Sequence, residues 1–154
     1  MTRTERYAKT YRQAYDGPAW HGPALKQILE GITAAMAAKH PPGGGHSIWE
    51  IVSHIRAWDV IIRRRLAGEV IIEVDDEVDW PPVRDTSEAA WSAMQDALFR
   101  GANELADAIA AVPETRLTEK MPQRQHSRLT EILGGIQHTV YHSGQVAVLK
   151  RIVA

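Results

Sequence analysis

The chain has 154 residues, a size for one domain, with 44% hydrophobic and 24% charged residues, and this balance excludes wholesale disorder. No run approaches the ~18 apolar residues of a membrane span. A formal net charge of −1 provides no basic field for nucleic acid, and the lack of cysteine excludes disulfides, thiolate metal ligands and a cysteine nucleophile.

Arg3, Arg6, Lys9 and Arg12 occur without an apolar core segment, so the N-terminal region does not read as a secretory signal. Tyr7, Tyr11 and Tyr15 recur at every fourth position, which predicts a short lead-in helix packed on the domain. Gly22-Pro23 opens a second predicted helix, in which Leu25, Ile28, Leu29, Ile32 and Met36 keep a helical period as far as Lys39. Pro41 to Gly45 ends it. That glycine run is not followed by the Lys-Ser/Thr of a phosphate cradle and reads as a plain loop.

Ser47-Ile48-Trp49-Glu50 is a capping box, and the helix it opens runs through Ile51, Ile55, Trp58, Ile62 and Leu66 to Gly68. Residues 69–84 are mixed, with Val70-Ile71-Ile72 briefly extended and Pro81-Pro82 ending any regular element. The acidic loop 73–79 lacks the frame of a calcium loop and is expected to be solvated. The next helix is predicted over 86–111, then a polar connection over 112–126, then a last helix from Ser127 onward. The pattern predicts an all-α protein: a four-helix bundle with a short N-terminal lead-in helix, in one domain over residues 1–154.

The seven histidines carry the functional signal. His138 and His142, four apart on the last helix, stack on one face at the spacing that lets two imidazoles share a metal ion. They interrupt an apolar helix, where unpaired imidazoles are costly. Gly134, Gly135 and Gly144 flank them, each disfavoured by about 1 kcal/mol in a helix interior, which points to a need for close approach or space. Thr139 stands where a zinc protease has glutamate, so that reading falls. His54, near the apolar face of the helix opened by the Ser47/Glu50 box, is the natural third ligand. Three neutral imidazoles leave coordination positions open, the arrangement of catalytic zinc, although imidazole also suits nickel, copper and iron. His21, in a loop at a helix mouth, lines the pocket or adds a ligand in the sharper reading and does neither in the plainer one. His40, His46 and His126 are expected to be exposed or to cap a helix. Trp58, one turn beyond His54, and Gln145, one turn beyond His142, are the other pocket candidates.

Two segments resemble a known family. Ser47-Ile48-Trp49-Glu50-Ile51-Val52-Ser53-His54-Ile55 is similar to the opening of the second helix in the DinB/YfiT-like family, and His138-Thr139-Val140-Tyr141-His142-Ser143-Gly144-Gln145-Val146 is similar to its C-terminal signature. The resemblance implies an up-down-down-up bundle holding one divalent ion, nickel or zinc, on His54, His138 and His142. It also implies a homodimer acting on a small molecule, since members include enzymes that use an external low-molecular-weight thiol, while the lack of cysteine is what suits a cytoplasmic location. Tyr141 and Ser143 depart from the commonest pattern beside His142, so no particular substrate carries over.

Two functional classes follow. One is a metal-dependent transferase, using an external thiol, or a hydrolase; the other is a stress-associated bundle in which the ion only braces two helices. DNA binding is disfavoured by the near-neutral charge, and the arginine cluster Arg56, Arg63, Arg64 and Arg65 reads as a solvated face.

Overall fold

Local signals set where the long helices begin. In the computed structural model, which describes residues 1–154, helix α1 (Arg3–Asp16) opens on a capping box: the Glu5 amide donates to Thr2 Oγ1 at 3.1 Å, and the Thr2 amide donates to Glu5 Oε2 at 2.7 Å. After α2 (Leu25–Leu29) and α3 (Ala34–Ala38), helix α4 (Ile48–Leu66) starts at the expected Ser47/Glu50 box, with its two bonds at 2.8 and 3.2 Å. A short α5 (Asp76–Asp79) precedes α6 (Glu88–Ala110), capped by Ser87, and α7 (Arg128–Val153), capped by Ser127. The protein is all-helical, with no strand; Val70-Ile71-Ile72 belongs to an irregular stretch. No helix is long and apolar enough to cross a membrane.

Two expectations are corrected. The segment from Leu25 to Lys39 is not one helix. It breaks at Gly31, whose φ of +74° suits glycine, and Thr33 then caps α3 by accepting from the Met36 amide at 3.2 Å. The break frees the Ile32 carbonyl to accept from Trp91 Nε1 at 2.8 Å, tying this segment to α6. Helix α1, expected as a short lead-in, is instead one of the four long helices. It packs against α6 and α7, and α4 packs against the same two, so the four close a ring. Short α2 and α3 cover its flanks.

The core is apolar, with Ile48, Val52 and Ile55 of α4, Trp91, Leu98 and Leu105 of α6, and Ile132 and Val146 of α7 all buried; each large side chain contributes roughly 1.5–3 kcal/mol by leaving water. One polar knot interrupts it. Asp59 of α4 accepts from the Tyr15 hydroxyl at 2.7–2.8 Å and from the Tyr11 hydroxyl, and the Tyr15 oxygen lies 3.2 Å from Thr139 Oγ1 on α7. These groups pin α1, α4 and α7 together one residue from His138. Burial lifts the Asp59 carboxyl from its ordinary 3.8 to about 7, against the lowering effect of the tyrosine hydrogen bonds. Burial likewise raises both tyrosine hydroxyls well above their ordinary range.

Candidate metal centre

His54 projects from α4 toward His138 and His142 on α7. The three residues offer ring nitrogens that all lie within 4.8 Å of one another, and His54 Nε2 and His138 Nε2 are 2.9 Å apart. Nitrogens bound to one tetrahedral ion at about 2.0–2.1 Å sit roughly 3.3 Å apart, close to this spacing.

Neighbouring groups select which nitrogen each ring presents. His54 Nδ1 lies 2.7 Å from the Asp79 carbonyl oxygen and 3.2 Å from Asp79 Oδ1, so it carries the proton and leaves Nε2 as a lone pair. His142 Nδ1 lies 2.6 Å from Gln145 Oε1, with the same consequence. Burial, then the positive fields of His142 and His54, lower His138 from 6.5 to about 3, and burial also lowers His142. His138 and His142 are therefore neutral near neutral pH. Converging lone pairs of this kind repel one another, and a single proton can bridge only one pair of them. A divalent cation satisfies all three, so the donor set fits the ion that the sequence suggests.

Aromatic rings hold the site in place. Trp80 stacks on His54 at 3.9 Å with planes 8° apart, and His46 stacks on Trp80 at 3.6 Å and 4°. Trp58 donates its indole N–H to Asp79 Oδ1 at 2.6 Å. Asp79 thus braces His54 and Trp58 together.

Two cavities flank the cluster and share Trp80 and His142. One, about 570 Å³, runs between α4 and α7 along Trp58, His138 and Glu131; the other, about 770 Å³, is lined by Tyr141, Gln145 and Val148. The three glycines divide by role. A Cβ on Gly135 would meet Ile62 Cδ1 at 3.0 Å, so α4 approaches closely there. Gly134 and Gly144 have nothing within 4 Å and line the first and second cavity respectively.

A family model described as the DinB superfamily matches residues 19–146. The chain belongs to that superfamily. No curated protein and no solved structure gives a significant match.

Within this DinB-superfamily fold, His54, His138 and His142 come together, Trp58 walls the first cavity and Gln145 holds His142 from the side of the second. His21 does not join them. It sits exposed in the turn bridged by Ala19 and Gly22 and lines neither cavity. His40 and His46 are exposed, as expected, although His46 also buttresses Trp80.

Three residues escaped the sequence reading. Asp79, assigned to a solvated acidic loop, turns back onto His54 while Asp75, Asp76 and Glu77 remain exposed. Arg65, assigned to a solvated face, is 5% exposed and pairs with Glu131 at 3.0 Å. His126, assigned a capping role or none, lies 2.5 Å from the other Glu131 oxygen and lines the first cavity. Only the third had a local signal, in the His126/Glu131 spacing across a helix start.

Proposed function

We propose that this DinB-superfamily protein is a divalent-metal-dependent enzyme that transfers a group between an external low-molecular-weight thiol and a second small molecule. His54, His138 and His142 hold the ion, zinc or nickel, in the family's up-down-down-up bundle. The observation that carries this reading is the convergence of three imidazoles where two cavities meet. When bound there, a divalent ion supplies Lewis acidity that brings the pKa of a water or thiol toward neutrality.

The residues around the cluster orient the reactants rather than exchange protons with them. Asp79 is occupied by Trp58 and His54, and Gln145 by His142, so both act as fixed braces that hold the imidazole planes. The stacked Trp80 shields one face of His54 from water. With no cysteine in the chain, the thiol must arrive as a separate molecule, and a cavity on either side of His142 leaves room for thiol and acceptor at once. That pairing favours transfer over hydrolysis, which needs only one organic substrate.

Metal analysis of protein purified without an affinity tag is the test. About one equivalent of a divalent metal is expected in the wild type and a loss in His54→Ala, His138→Ala and His142→Ala; unchanged metal in those variants ends the proposal. A second reading, in which the ion only braces the fold, draws on the cluster joining α4 to α7. Chelation separates the two: an intact helical signal over an emptied site favours catalysis, and collapse of the helices favours bracing.

A further inference from the structure

The first cavity continues beyond the imidazoles. His54, Trp58, Ile62 and Arg65 follow one another at helical spacing on α4, and Glu131, Gly135, His138 and His142 do so on α7; all eight line the cavity between the two helices. The histidine cluster occupies one end of this groove. The other end holds an ion group that the proposed chemistry does not use.

Arg65 is the centre of that group. Its Nε donates to the Ile71 carbonyl at 3.1 Å, its Nη1 donates to Glu131 Oε1 at 3.0 Å, and its guanidinium carbon lies 5.3 Å from the Trp58 ring centre. Its Nη2 has no acceptor in the protein, although the side chain is only 6% exposed and borders the cavity. Nη2 is not itself fully buried, so it keeps solvent access and is open to an incoming acceptor at the cavity. Glu131 cannot supply one, because its second oxygen is taken by His126 Nε2 at 2.5 Å. His126 Nδ1, bordering the same cavity, has no protein partner either. Arg65 and His126 therefore share a single carboxylate, and each keeps one nitrogen without a protein partner.

We propose that Arg65 and His126 form an anion subsite, and that the substrate is an elongated small molecule carrying a carboxylate at one end and its reacting group at the other. Glu131 and His138 are seven residues apart on α7, and His54 and Arg65 eleven apart on α4, which sets the carboxylate about 10 to 16 Å from the cluster by helical rise. This deepens the proposed function and rests on it for the identity of the reacting end only. Trp58, between the two ends, supplies an apolar wall for the linking carbons.

The test compares mercaptohexanoate with mercaptohexanol on the cobalt-loaded protein, read by the thiolate-to-cobalt absorption band. Mercaptohexanoate is expected to bind at least about tenfold more tightly, as one charge-assisted hydrogen bond implies. The preference should vanish in the double variant Arg65→Gln/Glu131→Gln, which removes both charges together and whose melting curve reports whether it folds. Equal affinity of the two thiols in the wild type overturns the subsite. A second readout needs no metal: hexanoate, but not hexanol, should shift the Arg65 Nε–H resonance of the metal-free protein saturably. Failure of that shift also overturns the subsite, even if thiols coordinate cobalt. A hexanoate shift without any cobalt–thiolate band leaves the subsite standing and removes the thiol chemistry instead.

Discussion

Replacing Asp59 with asparagine tests the energetics of the polar knot behind the metal centre. Asp59 is 2% exposed, and burial raises its carboxyl from 3.8 to about 7. The sign follows from proton linkage. Between about pH 4 and 7 the unfolded chain has lost this proton while the folded chain keeps it, so rising pH removes stability through this group. The rise from 3.8 to about 7 corresponds to about 4 kcal/mol, fully present below the unfolded value and gone once pH passes the folded one. His138 works in the opposite direction. Its value falls to about 3, so acidification below about 6.5 destabilises the fold and masks the Asp59 effect in the wild type alone. The difference between Asp59→Asn and wild type cancels that background, because the amide keeps an oxygen for the Tyr15 hydroxyl and cannot ionise. Urea unfolding of the two metal-free proteins, from about pH 4 to about pH 8, should show the gap moving by about 4 kcal/mol in favour of the variant. A gap that stays constant across that range refutes the argument, since Asp59 would then titrate alike in the folded and unfolded chains.

Asp79→Ala removes the carboxylate 3.2 Å from His54 Nδ1 that also accepts from Trp58, but keeps the backbone carbonyl 2.7 Å from the same nitrogen, so it should weaken divalent metal binding by no more than about tenfold while leaving all three imidazoles in place, as measured by competition with a chromogenic chelator. Among the glycines, Gly134→Ala should stabilise the metal-free protein by up to about 1 kcal/mol, because helix propensity improves and its Cβ meets nothing within 4 Å. Gly135→Ala should fall short of that gain, since its Cβ would press on Ile62 Cδ1 at 3.0 Å. Thermal melts of the two variants side by side decide the point, and equal gains would show that α4 and α7 are not in close contact there.

The functional reading and the further inference meet on the face shared by α4 and α7. Residues spaced for one side of α4 oppose residues spaced for one side of α7, and each pairing has its own chemistry: imidazoles at one end, a guanidinium and a carboxylate at the other. Gly135 lets the two helices come close between those ends, while Gly134 keeps the cavity wall open. The knot of Asp59, Tyr11, Tyr15 and Thr139 then holds α7 in place beside His138. Such a rigid support is what positioned metal ligands require.

Features carried by neighbouring residues could be read directly from the chain. The capping box at Ser47 and Glu50, the start at Ser127, and the four-residue spacing of His138 and His142 all depend on contacts within one or two helical turns, and with the apolar period over 86–111, whose cap is Ser87 rather than the expected opening at 86, they locate three of the four long helices and two of the three imidazoles. Features that depend on a distant partner could not be read this way. The break at Gly31 is compensated by Trp91, far along the chain, and the long α1 is held by Asp59 and Thr139 rather than by its own periodicity. Arg65 looked like one member of an exposed basic run until Glu131 faced it, and Asp79 like a solvated acid until α5 folded back onto His54. Helix-forming preferences act over a few residues, whereas burial and charge pairing are decided by whatever the folded chain brings alongside; only tertiary structure could turn a surface charge into part of a binding groove.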